Sequence, residues 1–262
     1  INATTLKDGS INLAAIGKIN TDNLLRLNQD KSTDATLFWT KYIRGSTDWN
    51  AAVKIEDKAD KKQASILIES SLQGITLGFP EPFSKIGADI APLRLVSNVS
   101  ELKQNLMKVN YGEKIAAEIL YFSDDSNSYQ IKKGLISVDS RSSKLPKSGI
   151  LLAGRLPKLQ LDNWLSLFDQ FNSFRGTDEG DKIDLGLSEI DLSIGALDFL
   201  GRRFNDLTLN VNFRNREWDS DISSKEISGK VSLYSQNKGK IVGRFKKLTM
   251  PSIYPTELPV VK

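Results

Sequence analysis

Two side chains that carry much of enzyme chemistry are missing from this 262-residue chain, which holds no histidine and no cysteine. Ser-His-Asp and Cys-His nucleophilic machinery, thiolate metal sites and zinc sites that need histidine are therefore excluded. Carboxylates remain. They cluster at Asp124-Asp125, at Asp178, Glu179 and Asp181, and at Asp219 with Asp221, and two carboxylates are sufficient for glycoside hydrolysis. Each cluster falls in a polar turn or at a strand end, where acidic residues serve solvation, so catalysis is not expected. The run from Asp178 to Asp184 offers oxygen ligands for Ca²⁺ but lacks EF-hand spacing; neither a metal nor a cofactor is expected.

The net charge of +4, from 36 basic and 32 acidic residues, is spread along the chain. Its basic pairs (Lys61-Lys62, Lys132-Lys133, Arg202-Arg203, Lys246-Lys247) are scattered, whereas a nucleic-acid binder concentrates them on one face. Hydrophobic residues at 39% against 26% charged ones are enough for a folded core. No run approaches the ~20 apolar residues of a spanning helix, and no signal-peptide pattern opens the chain. The chain begins at Ile1 and stops at Lys262 where another strand pattern starts. The expectation is one elongated β unit over 1–262, excised from a longer protein, with a subdivision into 1–160 and 161–262 as the variant.

What must position any site is a set of alternating strands. Ile11, Leu13, Ala15, Gly17 and Ile19 share one phase, as do Ala51, Val53 and Ile55, and Ile115, Ala117, Ile119 and Tyr121. Ile150, Leu152, Gly154 and Leu156 make another strand, which Pro157 is expected to end. Leu207, Leu209, Val211 and Phe213 form the cleanest alternation, followed by Ile227, Val231 and Leu233, then Ile241 and Phe245. Between Ala64 and Val99 the phase flips: Ile66, Ile68 and Leu72 are even, Ile75, Leu77 and Phe79 odd. A flip at Gly74 implies a bulge or a sharp bend. A second flip separates Ile183, Leu185 and Leu187 from Ile190, Leu192 and Ile194.

Two short amphipathic helices are expected, one from a Thr21-Asp22 cap to near Asp30 and one capped by Asp162 and carrying Trp164, Leu167, Phe168 and Phe171. Glu56 to Lys62 reads as a hairpin loop, Ser100 to Lys108 as a brief helix or irregular crossing, 123–127 as a turn and Arg175 to Lys182 as a mobile loop. At least eleven strand runs against two helices predict a mainly antiparallel β fold. One-sided strands need cover on their apolar face, and a second sheet, a closed barrel or a ligand in an open groove would each supply it.

Four phrases in order carry a family resemblance. Ser71-Leu72-Gln73-Gly74-Ile75 followed by Phe79-Pro80-Glu81-Pro82-Phe83-Ser84-Lys85, Ile43-Arg44-Gly45 with Trp49, the stretch from Gly149 to Trp164, and Trp218 through Gly229 to Leu248 resemble phrases of the YhdP proteins, a branch of the AsmA-like bacterial envelope family. The resemblance implies a long curved antiparallel sheet forming an open groove, with a partly closed sandwich or barrel as the other form. It also implies a periplasmic segment of an inner-membrane-anchored protein that carries phospholipid between the two membranes. Its partners would be phospholipid acyl chains, the membrane through parts outside this segment, and envelope proteins. On this reading the groove-facing candidates are Leu207, Leu209, Val211, Phe213, Ile227, Val231 and Leu233, together with Ile66, Ile68 and Leu72. The other reading is a structural envelope scaffold or protein-interaction β module that moves no lipid. The helix bearing Trp164 and Phe168 would either plug one end of the groove or cover a sheet edge.

Overall fold

A computed structural model of the chain describes residues 2–5, 10–23, 38–58, 61–100, 104–123, 129–139, 144–175, 187–214, 217–234 and 240–253. The alternating runs become strands because period-two patterning puts every apolar residue of a run on one face. Strands β1 (Asn2–Thr5), β2 (Ile11–Asn20), β3 (Ile43–Lys58) and β4 (Lys61–Ser70) pair antiparallel in chain order. The charged run Glu56 to Lys62 is thus mostly strand, with β3 and β4 pairing as far as Lys58 and Lys61.

After Ser70 the chain leaves the ladder, and the phase flip at Gly74 is a sharp bend. Gly74 has φ +90°, and a Cβ there would stand 2.2 Å from the Ser46 carbonyl oxygen, so only glycine fits. Strand β5 (Ile75–Leu77) pairs with Ile43–Gly45 at the start of β3. Residues 78–92 then cross back to β6 (Leu93–Ser100), which lies beside β4. Within this crossing Lys85 is buried, its Nζ donating to the carbonyls of Ile75 at 2.8 Å and Ile86 at 3.0 Å.

Strands β7 (Gln104–Tyr111), β8 (Ile115–Ser123) and β9 (Tyr129–Val138) continue the antiparallel series. Strand β7 replaces the helix or irregular crossing expected from Ser100 to Lys108. Its face alternates Asn105, Met107, Val109 and Tyr111, and the fully buried Asn105 breaks the apolar signal.

The order turns parallel twice. Strand β10 (Gly149–Gln160) runs parallel to β9, and β11 (Leu187–Phe199) runs parallel to β10 after the crossover helix α1 (Leu161–Arg175). Contrary to expectation, Pro157 does not end β10. The β9 partner stops at Gly154, so past that point a proline deprives no neighbour of a ladder bond on that side. The flip after Leu187 is a register shift in the β10–β11 ladder. Strands β12 (Arg202–Arg214), β13 (Glu217–Ser223), β14 (Ile227–Tyr234) and β15 (Lys240–Leu248) complete one 15-stranded, mostly antiparallel sheet. Among the described residues it does not close into a barrel: β1 and β15 are its two edges, and β10 to β11 carries it across the 160/161 point.

Among the described residues, helix is confined to 21–23, 38–40 and α1. The remainder of the helix expected to reach Asp30, the turn at 124–127 and the loop at 176–182 lie outside the described residues. Asp162 is in the first turn of α1, and its carboxylate accepts the Leu200 amide at 2.9 Å, so it ties the helix to the β11–β12 hairpin.

Two cores result. One, around Val138, Leu156, Leu192, Ile194, Phe204 and Leu207, sits on one face of β9 to β12. Here three adjacent strands switch side-chain phase at one level, at Pro157, Gly195 and Asp206 (φ +52°). The switch keeps Leu159, Leu197 and Phe204 against the same face. The second core is aromatic: Phe38, Leu167 and Phe171, flanked by Trp39, Tyr42, Phe79 and Trp164, joins α1 to the 38–42 turn and the 78–92 crossing.

Candidate functional site

Residues directly opposite one another in neighbouring strands point to the same side of a sheet, so the register traces one face from edge to edge. Leu13 faces Val53, Val53 faces Ile66 and Ala51 faces Ile68. Ile68 then faces Leu95, Leu95 faces Val109, Val109 faces Ala117 and Ala117 faces Ile136. Across the parallel strands Ile136 leads to Leu152, Ile190 and Val211. Beyond them Leu209 faces Ile222, Phe213 faces Trp218, Trp218 faces Leu233 and Leu233 faces Ile241. The result is an unbroken apolar strip across β2 to β15.

The opposite face is mixed: Leu67 faces Val96, Leu106 faces Leu120 and Leu135 faces Leu151, and between them it is laced with ion pairs of cross-strand partners. Arg94 pairs with Glu69, Lys108 with Glu118 at 3.2 Å, and Lys230 with Asp221 at 3.4 Å. Asp198 is held by Arg203 through two hydrogen bonds of 2.7 and 2.9 Å and by Lys158 at 3.3 Å. The Arg203 bonds keep its carboxyl below the usual range against the opposing effect of burial. Of the carboxylate clusters, Asp219 accepts from Ser232 and Asp221 faces Lys230, both on this solvent side; the clusters at Asp124 and Asp178 lie outside the described residues.

The ten candidate residues divide. Ile66, Ile68, Leu207, Leu209, Val211, Phe213, Ile227, Val231 and Leu233 all lie on the apolar face. Leu207 and Val211 are buried, with Leu209 and Ile227 partly buried around that core, so the floor near β12 is filled by the chain's own side chains. Phe213 packs against Trp218 with ring centroids 4.7 Å apart. Toward β15 the strip is uncovered: Leu233 is 38%, Ile241 73% and Phe245 41% exposed. Leu72 is not on a strand; it lies in the bend before β5 and lines a cavity.

That cavity, of about 510 Å³, lies where residues 71–92 cross over the strand ends. Ile19, Ile43 and Thr47 contribute from β2 and β3, Leu93 and Val109 from β6 and β7, and Ile115, Ala117 and Ile136 from β8 and β9. Leu72, Ile75, Leu77, Phe79 and Phe83 complete it from the crossing segment. Behind Phe79 and Phe83 stands α1. Trp164 donates its Nε1 to the Glu81 carbonyl at 2.9 Å and meets Phe83 edge-on, while Phe79 stacks on Tyr42. The helix therefore backs the crossing segment at one end of the strands, and the sheet edges are elsewhere. Reading the chain as a sequence missed the walls contributed by β6 and β7. Leu95, Met107 and Val109 carried the signal in their alternation, but Ser97 and Asn105 interrupt it.

A sheet with an apolar strip from β2 to β15, an ion-paired back and, among the described residues, no closing strand defines a groove-bearing β-sheet protein. The model of the YhdP protein family matches residues 1–260, and the chain belongs to that family. A search of the curated proteins and one of the solved structures each returned no match. Among the described residues no helix is long and apolar enough to cross a membrane.

Proposed function

We propose that this chain shields phospholipid acyl chains as they pass along its apolar face between the inner and outer membranes of a bacterial envelope, in the periplasm, without catalysing a reaction. The observation that carries this reading is the apolar strip in register across β2 to β15, uncovered at Leu233, Ile241 and Phe245. Exposing a chain of about sixteen methylenes to water costs roughly 13 kcal/mol at ~0.8 kcal/mol per methylene. A carrier has to offset that cost at every point of the path, and a strip of Leu, Ile, Val and Phe does so while the head group stays hydrated at the rim. Membership of the YhdP family supports an envelope setting. The filled floor around Leu207 and Val211 favours the second reading, a scaffold or interaction module, for that stretch alone.

Photoreactive residues at Leu209 and Val231 test the proposal in cells. They should capture lipid several-fold above the same groups at Asn210 and Lys230, their neighbours on the opposite face. Equal labelling of the two pairs would leave the scaffold reading.

A further inference from the structure

The cavity under the 71–92 crossing differs from the rest of the strip because it is walled on both sides. Three hydroxyls reach it, and all are committed inside the protein. Thr21 Oγ1 exchanges hydrogen bonds with the Gly45 backbone at 3.1 and 3.2 Å, Thr47 Oγ1 pairs with Ser70 Oγ at 3.2 Å, and the Tyr111 hydroxyl donates to the Phe83 carbonyl at 3.5 Å. Water in such a space lacks the two to four polar partners that hold buried water, so the site favours an apolar occupant. A lipid head group is refused for the same reason.

Size narrows the occupant. At about 30 Å³ for each water-sized group, a volume of about 510 Å³ takes roughly seventeen such groups, the content of one long hydrocarbon chain. The lining runs from β2 to β9, six inter-strand steps in the sheet order, which at about 4.8 Å each is an arc of up to about 29 Å.

We propose that this chamber is a holding site for the methyl end of a single acyl chain, entered tail first, with the head group left outside in water. The inference rests on the lipid-shielding reading, and adds to it a one-chain, tail-only site beneath the crossing segment.

The test uses the protein as the cell makes it, with cells fed fatty acids that carry a diazirine either at the methyl end or beside the carboxyl and build them into their lipids. After irradiation, the methyl-end probe should label peptides containing Leu77, Ile115 and Ile136, and the carboxyl-side probe should label them at least several-fold less. Ala117→Phe, which fills the chamber between Val109 and Ile136, should abolish that labelling while labelling at Leu209 and Val231 persists. Ala116→Phe, on the opposite face, should change neither. Equal labelling of the chamber by both probes would overturn the tail-only site. Labelling at Leu209 and Val231 with none in the chamber would overturn the site and leave the lipid-shielding reading intact; no labelling anywhere on the apolar face would overturn both.

Discussion

At the scale of single residues, Asp198 shows how the ion-paired back of the sheet contributes to stability. Its carboxylate is half-buried and is gripped by Arg203 and Lys158, and the Arg203 hydrogen bonds hold its pKa below the ordinary 3.8. A depressed carboxylate pKa gives stability that is fully present above the unfolded value and disappears as the pH falls through the folded one. Urea denaturation at pH 5 and at pH 2.5 should therefore show a loss in the parent that is smaller in Asp198→Asn. At pH 7 that variant should be less stable by about 1 kcal/mol, the usual worth of a charge-assisted bond that is partly open to solvent. Nothing in the sequence singles out Asp198 from other acidic residues, since the pairing depends on the β11–β12 register. Lys85 is a similar case. The string in which it stands is readable as a phrase, but its burial against two carbonyls exists only after residues 75–86 fold back on themselves.

At the scale of elements, α1 was legible and its task was not. Trp164, Leu167, Phe168 and Phe171 announce an amphipathic helix, yet what its apolar stripe meets comes from positions some 80 to 130 residues earlier. Phe171 is almost fully buried, stacked on Trp39 at 4.8 Å and edge-on to Phe38 at 5.0 Å. Phe171→Ala should cost about 3–5 kcal/mol of local stability. Hydrogen exchange should show it, with α1 amides losing protection while β12 amides retain theirs; uniform loss across both would mean that helix and sheet unfold as one unit. Strand β7 shows the reverse error. A buried asparagine hides its alternation, because the sheet tolerates one hydrogen-bonded polar group on a face that a sequence pattern requires to be apolar.

At the scale of the whole molecule, the apolar strip matters only if it is continuous. A charge in the middle of it tests this. Leu209→Glu, at a partly buried position, should leave the fold cooperative by thermal melting. On the proposed function lipid would reach the substitution from one side, so capture by photoreactive groups at either Ile66 or Leu233 should fall several-fold while capture at the other is unchanged. Unchanged capture at both positions would show that the face is not used as a single path.

The sequence by itself determined most of the strands, β7 excepted, with the face each of them turns inward and the absence of histidine and cysteine chemistry, because side-chain alternation and residue identity are local properties. Only the tertiary structure decided that fourteen of the fifteen strands join in one ladder with two parallel steps. It alone set how the face divides: filled near β12, uncovered near β15, and roofed by the 71–92 crossing. Those outcomes depend on which strand ends meet across long separations in the chain, and the period-two pattern is the same whether protein, lipid or water lies against the face.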